Sequence, residues 1–371
     1  MEINTTNIAN NLKRVKAAVP SGTHIMAVVK ADAYGHGAAP VAMISLEQGA
    51  SFLGVALLEE GVALRRAGIA APILFMGAFF PWQAPDLVRF GLTATVASVE
   101  SAECLSDAAV ASGRRARVHI KVDTGMGRIG LTPADIPGLV RRASRLPGID
   151  IEGIFTHLAC AECNQAMTLR QLEQFHDLTE SLRAQGYSIP LRHAANSAAA
   201  LAVPESALDM VRVGAALYGL SPTGATPPGP EWAQAMSFHT RVAYVKAVPA
   251  NTTVSYGAAY VSRGPEVIAT LPVGYADGYS RSLSGKAEVL LNGERRHVVG
   301  KVCMDQIMIS LPLDAHVEVG DEVILMGCQG DDTIYAEDLA RWTGSIGYEV
   351  VCGISKRVPR VYVGGREQEQ Q

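Results

Sequence analysis

The chain has no apolar run long enough to span a bilayer, and its opening, "MEINTTNIANNLKRVKAAVP", lacks the apolar core of a secretory signal. Membrane insertion and export are therefore not expected, and the cytoplasm is the expected location. Cysteine is scarce, with six in 371 residues (Cys104, Cys160, Cys163, Cys303, Cys328 and Cys352), which points to reduced thiols and not to a disulfide framework. Cys160 and Cys163 in "CAEC" have the spacing of half a zinc site. No second such pair follows and His157 would add only one ligand, so no metal is expected. Neither sign of charge dominates: 32 basic and 36 acidic residues leave a formal net charge of −4, and the basic residues are scattered. Nucleic acid and anionic membrane surfaces are not expected as partners. What remains is a chain 48% hydrophobic and 18% charged, able to bury a large core and expected to form two domains around a small-molecule function.

Between residues 20 and 220, eight short apolar runs recur: "HIMAVVKA", "FLGVALL", "PILFMGAF", "TATVAS", "RVHIKVD", "IEGIFTH", "LRHAANS" and "MVRVGAALYG". Helical patterns separate several of them, such as "AECLSDAAVASG" and "TLRQLEQFHDLTESLRAQG", the latter with Leu169, Leu172, Phe175, Leu178 and Leu182 assigned to one face. Short apolar runs alternating with helices predict an α/β fold, a (β/α)8 TIM-like barrel over residues 1–230. The Pro- and Gly-rich stretch Leu220 to Trp232 reads as a linker. After it come alternating strand-like runs and the turn "LNGERR", which predict a mostly β domain over residues 231–371. It includes one helix, "AEDLARWTG", and ends in a short polar tail after Gly365.

A barrel carries its chemistry where its strands end. The first run ends in Lys30, followed by Asp32, Tyr34 and His36. The fifth carries Lys121 and leads to Asp123 and Arg128; the sixth ends in His157; the seventh in His193, Asn196 and Ser197; the eighth carries Arg212 and then Gly214. Each has an ordinary explanation alone, such as a helix cap for Ser197 or a surface ion pair for Lys121. Independent solvated ends would not be expected to supply a lysine, arginines, a histidine and glycine turns around one rim. "GMGRIG", Gly125 to Gly130, matches a dinucleotide fingerprint, but it sits in the fifth unit and reads as a tight strand-to-helix turn. A lysine at the mouth, with glycine and hydroxyl groups able to hold a phosphate, fits a pyridoxal 5′-phosphate Schiff base.

"AVVKADAYGHG", "KVDTGMGRIG", "FTHLA", "ANSAA", "VRVGAALYG", "VSYGAAY", "VGYADGYSR", "VCMDQIMI" and "RVPRVY", in this order and over nearly the whole chain, resemble the alanine racemase family. The resemblance implies a pyridoxal-phosphate enzyme that interconverts L- and D-alanine, supplies D-alanine for peptidoglycan and works as a homodimer with shared active sites. It implies that Lys30 forms the internal aldimine and serves one face of the substrate, while Tyr256 from the other subunit serves the opposite face. The implied cofactor-binding set is Lys30, Tyr34, His157, Asn196, Ser197, Arg212, Gly214, Ala215 and Tyr348. Within it Arg212 faces the pyridine nitrogen, His157 holds Arg212, and Tyr34, Ser197, Tyr348 and the backbone near Gly214 and Ala215 take the phosphate. Arg128 and the backbone N–H of Met304 are the implied substrate contacts, and Asp305 lies beside Met304. Lys121, which many members carbamylate, would hold Arg128. Tyr275, Arg281, Lys301 and Ile346 match the entrance. Cys160, Ala161 and Lys301 depart from the usual family residues there and bear on substrate breadth. Other readings are a broad-specificity or serine racemase on the same scaffold, a non-catalytic cofactor carrier, and a decarboxylase, which usually places a carboxylate where Arg212 stands.

Overall fold

The computed structural model describes residues 1–221 and 232–364, so the expected linker lies almost wholly outside the described residues, as does the tail after Gly365. Two compact units emerge, Ile8–Leu217 on the one hand, and Met1–Asn7 with the described part of Tyr218–Gln371 on the other. A division at residue 230 assigns the first seven residues to the barrel, whereas β1 (Glu2–Asn4) pairs antiparallel with Met236–Arg241 and parallel with Val361–Val363.

In the first unit each expected run contains a strand: β2 (His24–Val28), β3 (Phe52–Val55), β4 (Ile73–Phe75), β5 (Thr93–Val96), β6 (Ala116–Lys121), β7 (Ile149–Phe155), β8 (Leu191–His193) and β9 (Met210–Val213). They form an eight-stranded sheet, parallel throughout, in the order β8-β7-β6-β5-β4-β3-β2-β9. The ends meet where Asp209 N donates to Arg192 O and Arg212 N to Ala195 O. Strands covered on both faces have no solvent side to mark, so they read as continuous apolar runs; β2, β3, β4 and β5 are buried almost end to end. The helix Gln165–Ala184 buries Leu172, Phe175, Leu178 and Leu182, while Leu169 is 41% exposed. A three-residue spacing slips about 60° per step around a 3.6-residue helix, so the first leucine of the series reaches the flank.

The second unit is mostly β. Its main sheet runs through Tyr244–Val248, Glu266–Leu271, Ile307–Leu311, Glu294–Val299, Glu288–Leu291, Glu322–Gln329 and Met236–Arg241 to β1 and Val361–Val363. Asn292 (φ 56°) and Gly293 (φ 78°) form the two-residue hairpin turn in "LNGERR". "AEDLARWTG" is helical over Ala336–Thr343, and a further short helix, Gly347–Gly353, carries Tyr348. No helix of the described residues is long and apolar enough to cross a membrane.

Candidate active site

Lys30 leaves the end of β2, next to β9, where Ala27 lies opposite Val213. Ala31, Asp32, Ala33 and Tyr34, none of them glycine, then run through left-handed backbone with φ of 52–55°. Such a turn costs L-residues roughly 1–2 kcal/mol each and persists only where the surroundings over-determine it. The Glu60 carboxylate accepts from Ala31 N at 2.6 Å and from Ala56 N at 2.8 Å, and Asp32 Oδ1 accepts from Ala38 N at 2.8 Å. The turn ends at Gly35 (φ 81°), its strain held by these anchors.

Tyr34 reaches β9's exit. A Cβ on Gly214 would lie 2.6 Å from the Tyr34 hydroxyl, so the glycine leaves the room that this side chain occupies. Ser197 Oγ accepts from Gly214 N at 3.0 Å and Ala216 N at 3.3 Å, and Ala215 is buried beside them. Asn196 caps the helix Ser197–Ala202, its side chain accepting from Ala199 N at 2.9 Å.

Arg212 is buried in β9 among neutral partners: Nη1 meets His193 Nδ1 at 3.0 Å, and Nη2 meets His157 Nδ1 at 3.2 Å and the carbonyls of Thr156 (2.9 Å) and Ala194 (2.8 Å). Burial, then Arg128, lowers its pKa to about 9, so it stays a cation at neutral pH. His157 is lowered to about 3 by burial first and then by Arg212, Arg128, Lys121 and Lys30. It is neutral and free to accept. The "GMGRIG" segment wraps the Asp123 carboxylate, which accepts from Gly125, Met126 and Gly127, and Arg128 is exposed on that loop. Cys160 and Cys163 are free thiols in a turn closed by Cys163 N donating to Cys160 O.

Lys121 is 4% exposed, donates to Val122 O at 2.5 Å and lies 5.3 Å from the centre of the Phe155 ring. Burial and then Arg212 lower its pKa from 10.5 to about 8, with Asp123 opposing. The unfolded chain keeps this proton to higher pH than the folded one, so stability climbs as pH rises from about 8 to 10.5. In carbon-dioxide-free buffer, Lys121→Met is expected to raise the unfolding free energy at pH 7 by about 1–3 kcal/mol. Denaturant titrations across that window should show the gap closing; a constant gap would refute the cause.

The remaining expected residues lie in the second unit. Tyr256 is 74% exposed on a turn between Thr253–Val254 and Tyr260–Val261, flanked by Ser255 (φ 71°) and Gly257 (φ 70°). Ser255 Oγ both donates to Lys301 O and accepts from Lys301 N. Ala276 N donates to Met304 O and Tyr275 N to Cys303 O. A Cβ on Gly274 would strike the Met304 carbonyl at 2.4 Å. Ser284 Oγ links Arg281 O to Val302 N, and Arg357 bridges Asp277 and Asp305, each at 2.8 Å. Tyr256, Tyr275, Arg281, Lys301, Met304 and Asp305 thus share one bonded neighbourhood. Tyr348 donates from its hydroxyl to Ser221 O at 3.0 Å, and Ile346 is exposed.

Comparison with known proteins decides the family. The alanine racemase N-terminal domain pattern matches residues 3–222 and the C-terminal domain pattern residues 235–362. The chain belongs to the alanine racemase family. It is 48% identical to the alanine racemase of Symbiobacterium thermophilum over 98% of this chain and 96% of that one, and 46% identical to that of Desulforamulus reducens over 98% of each. The solved alanine racemase of Clostridium difficile 630 superposes with a TM-score of 0.91 at 39% identity, covering 98% of this chain and 94% of that one. The family is an isomerase acting on alanine, and these relatives do not favour the serine alternative. Sequence reasoning passed over Glu60, His119, Glu152 and Arg357. A signal existed for one: Arg117, His119 and Lys121 alternate along "RVHIK", three polar side chains on one face of a barrel strand.

Proposed function

We propose that the protein interconverts L- and D-alanine with pyridoxal 5′-phosphate attached at Lys30, acting as a cytoplasmic homodimer that supplies D-alanine for peptidoglycan. What carries the reading is the rim of the barrel, where Lys30, Tyr34, His157, Ser197, Arg212 and Gly214 converge. The donor set fits the cofactor. Tyr34, Ser197 and the glycine cradle at Gly214 and Ala215 suit a phosphate, to which the resemblance adds Tyr348; Asn196 sets the helix that carries Ser197, and Arg212 suits a ring nitrogen. When bound, the cofactor supplies the electron withdrawal that acidifies the α-proton of the amino acid.

This chain's residues do the rest. The Lys30 amine takes or returns the α-proton on one face. The partner subunit's Tyr256 serves the other, because reprotonation from the same side would only restore the starting enantiomer. Arg212, charged and surrounded by neutral groups, would donate toward the ring nitrogen of the bound cofactor and disfavour a proton there, which would temper the electron withdrawal it supplies. Arg128 and the N–H of the partner subunit's Met304, which lies in the same neighbourhood as Tyr256, hold the substrate carboxylate. Lys121, once carbamylated, becomes an anion that holds Arg128, while Tyr275 and Arg281 border the entrance and Asp305 lies beside Met304. The amine of Lys121 suits that modification, since burial leaves part of it neutral.

Incubation of the purified holoenzyme with individual L-amino acids in deuterated water tests the function. The expected result is α-deuterium incorporation with formation of the D-enantiomer, with alanine the best substrate. Release of carbon dioxide, or no exchange with any amino acid, would refute it.

A further inference from the structure

β6 and β7 carry polar side chains through the barrel interior that the proposed chemistry does not use. Arg117 at the start of β6 is 44% exposed and pairs with Glu152 of β7 at 3.5 Å. Glu152 Oε2 lies 3.3 Å from His119 Nε2 and also accepts from Thr93 Oγ1 at 3.2 Å. His119 Nδ1 lies 2.8 Å from His193 Nε2, and His193 Nδ1 lies 3.0 Å from Arg212 Nη1. Both imidazoles are fully buried. We propose that Glu152, His119 and His193 form a hydrogen-bond chain with a single direction, by which a carboxylate near one end of the barrel positions the Arg212 guanidinium at the other.

The direction follows from counting protons. A guanidinium only donates, and a carboxylate only accepts. Arg212 must therefore donate to His193 Nδ1, which leaves the His193 proton on Nε2. That proton faces His119 Nδ1, so the His119 proton also sits on Nε2 and points to Glu152. Either ring in the other tautomer would set two N–H groups or two lone pairs face to face at about hydrogen-bond distance. A second proton on either ring would do the same. Burial first, with Arg212 contributing, lowers both histidine pKa values and keeps the rings neutral. Glu152 is the acceptor at the end of the chain: His119 Nε2, Thr93 Oγ1 and the Arg117 guanidinium all face its carboxylate.

The surroundings are shaped to this chain. A Cβ on Gly153 would lie 2.8 Å from three atoms of the His119 ring, so the glycine in "IEGIF" makes the ring's seat, beside a register shift between Val118 and His119. Phe155 stacks parallel to His193 at 4.8 Å and lies 5.4 Å from the Arg212 guanidinium carbon. Removing the Glu152 acceptor frees His119 to change tautomer. His193 must then follow, and its Nδ1–H would face an Arg212 N–H. Glu152 is a positioning residue, and its effect on turnover rests on the function proposed above.

Neutron diffraction from crystals of the deuterated holoenzyme reads the chain directly and independently of activity. The expected result is one deuteron on Nε2 of both His119 and His193 and none on Nδ1. A deuteron on Nδ1 of either ring would overturn the proposal. The second arm compares variants: Glu152→Leu should lower kcat about 10–100-fold with KM for alanine little changed, the scale of a misplaced active-site group. Glu152→Gln, whose amide oxygen can still accept from His119, should stay within about threefold of wild type. A folded Glu152→Leu with unaltered kcat would overturn the positioning role. Should the enzyme prove inactive on alanine while the deuterons lie as assigned, the proposed function fails and the chain stands.

Discussion

Lys30→Ala is expected to abolish racemisation, a loss of at least about 10³–10⁴-fold, together with the borohydride-reducible attachment of the cofactor. The barrel mouth offers two lysines, and the structure distinguishes them. Lys121 is buried, bonded to the Val122 carbonyl and packed against Phe155, a setting suited to a supporting role. Lys30 stands at the start of the left-handed turn Ala31–Tyr34, held by Glu60 and Asp32, so its backbone is fixed at a cost of several kcal/mol. Folds retain such strain where geometry serves function. Borohydride reduction followed by peptide mapping should recover the adduct on Lys30 alone. An adduct on Lys121, or a Lys30→Ala protein with wild-type turnover, would reject the assignment.

That turn also shows where the sequence stops being legible. "KADAY" contains no glycine, and nothing in its residue types announces four consecutive positive φ angles. They arise from contacts made by Glu60, nearly thirty residues away, and sequence patterns register local preference, not distant anchors. The eight strands were readable for the opposite reason: burial on both faces imposes a local apolar signature on each. The seat of β1 was not, because its partners Met236–Arg241 and Val361–Val363 lie hundreds of residues on. Rim residues could be found because strand ends are where barrels carry chemistry. Asn196 stood among them by position, but its side chain caps a helix. His119 and Glu152 escaped because a buried polar chain needs partners from several strands. Two local features hinted at one: the alternation of Arg117, His119 and Lys121, and the isolated glycine at Gly153, which marks a close approach inside a strand.

Mixing two inactive variants should restore activity if the proposed active sites are shared between subunits. Tyr256→Phe removes one hydroxyl from a side chain that is 74% exposed in the isolated chain, so the fold should tolerate it. Loss of a general acid–base group predicts a fall of about 10²–10⁴-fold, with proton removal from one enantiomer impaired far more than cofactor binding. Equal small losses in both directions would reject Tyr256 as a base. The mixture then tests whose tyrosine serves which lysine. In a heterodimer of Lys30→Ala with Tyr256→Phe, a site built from Lys30 of one chain and Tyr256 of the other carries either both lesions or neither. Random reassociation makes about half of the dimers mixed, each with one intact site of two, so activity should return to roughly a quarter of wild type. If both residues came from the same chain, every site in the mixture would carry exactly one lesion and nothing would return. Continued inactivity after subunit exchange has been verified by mass would therefore overturn the shared-site arrangement while leaving the roles of Lys30 and Tyr256 intact.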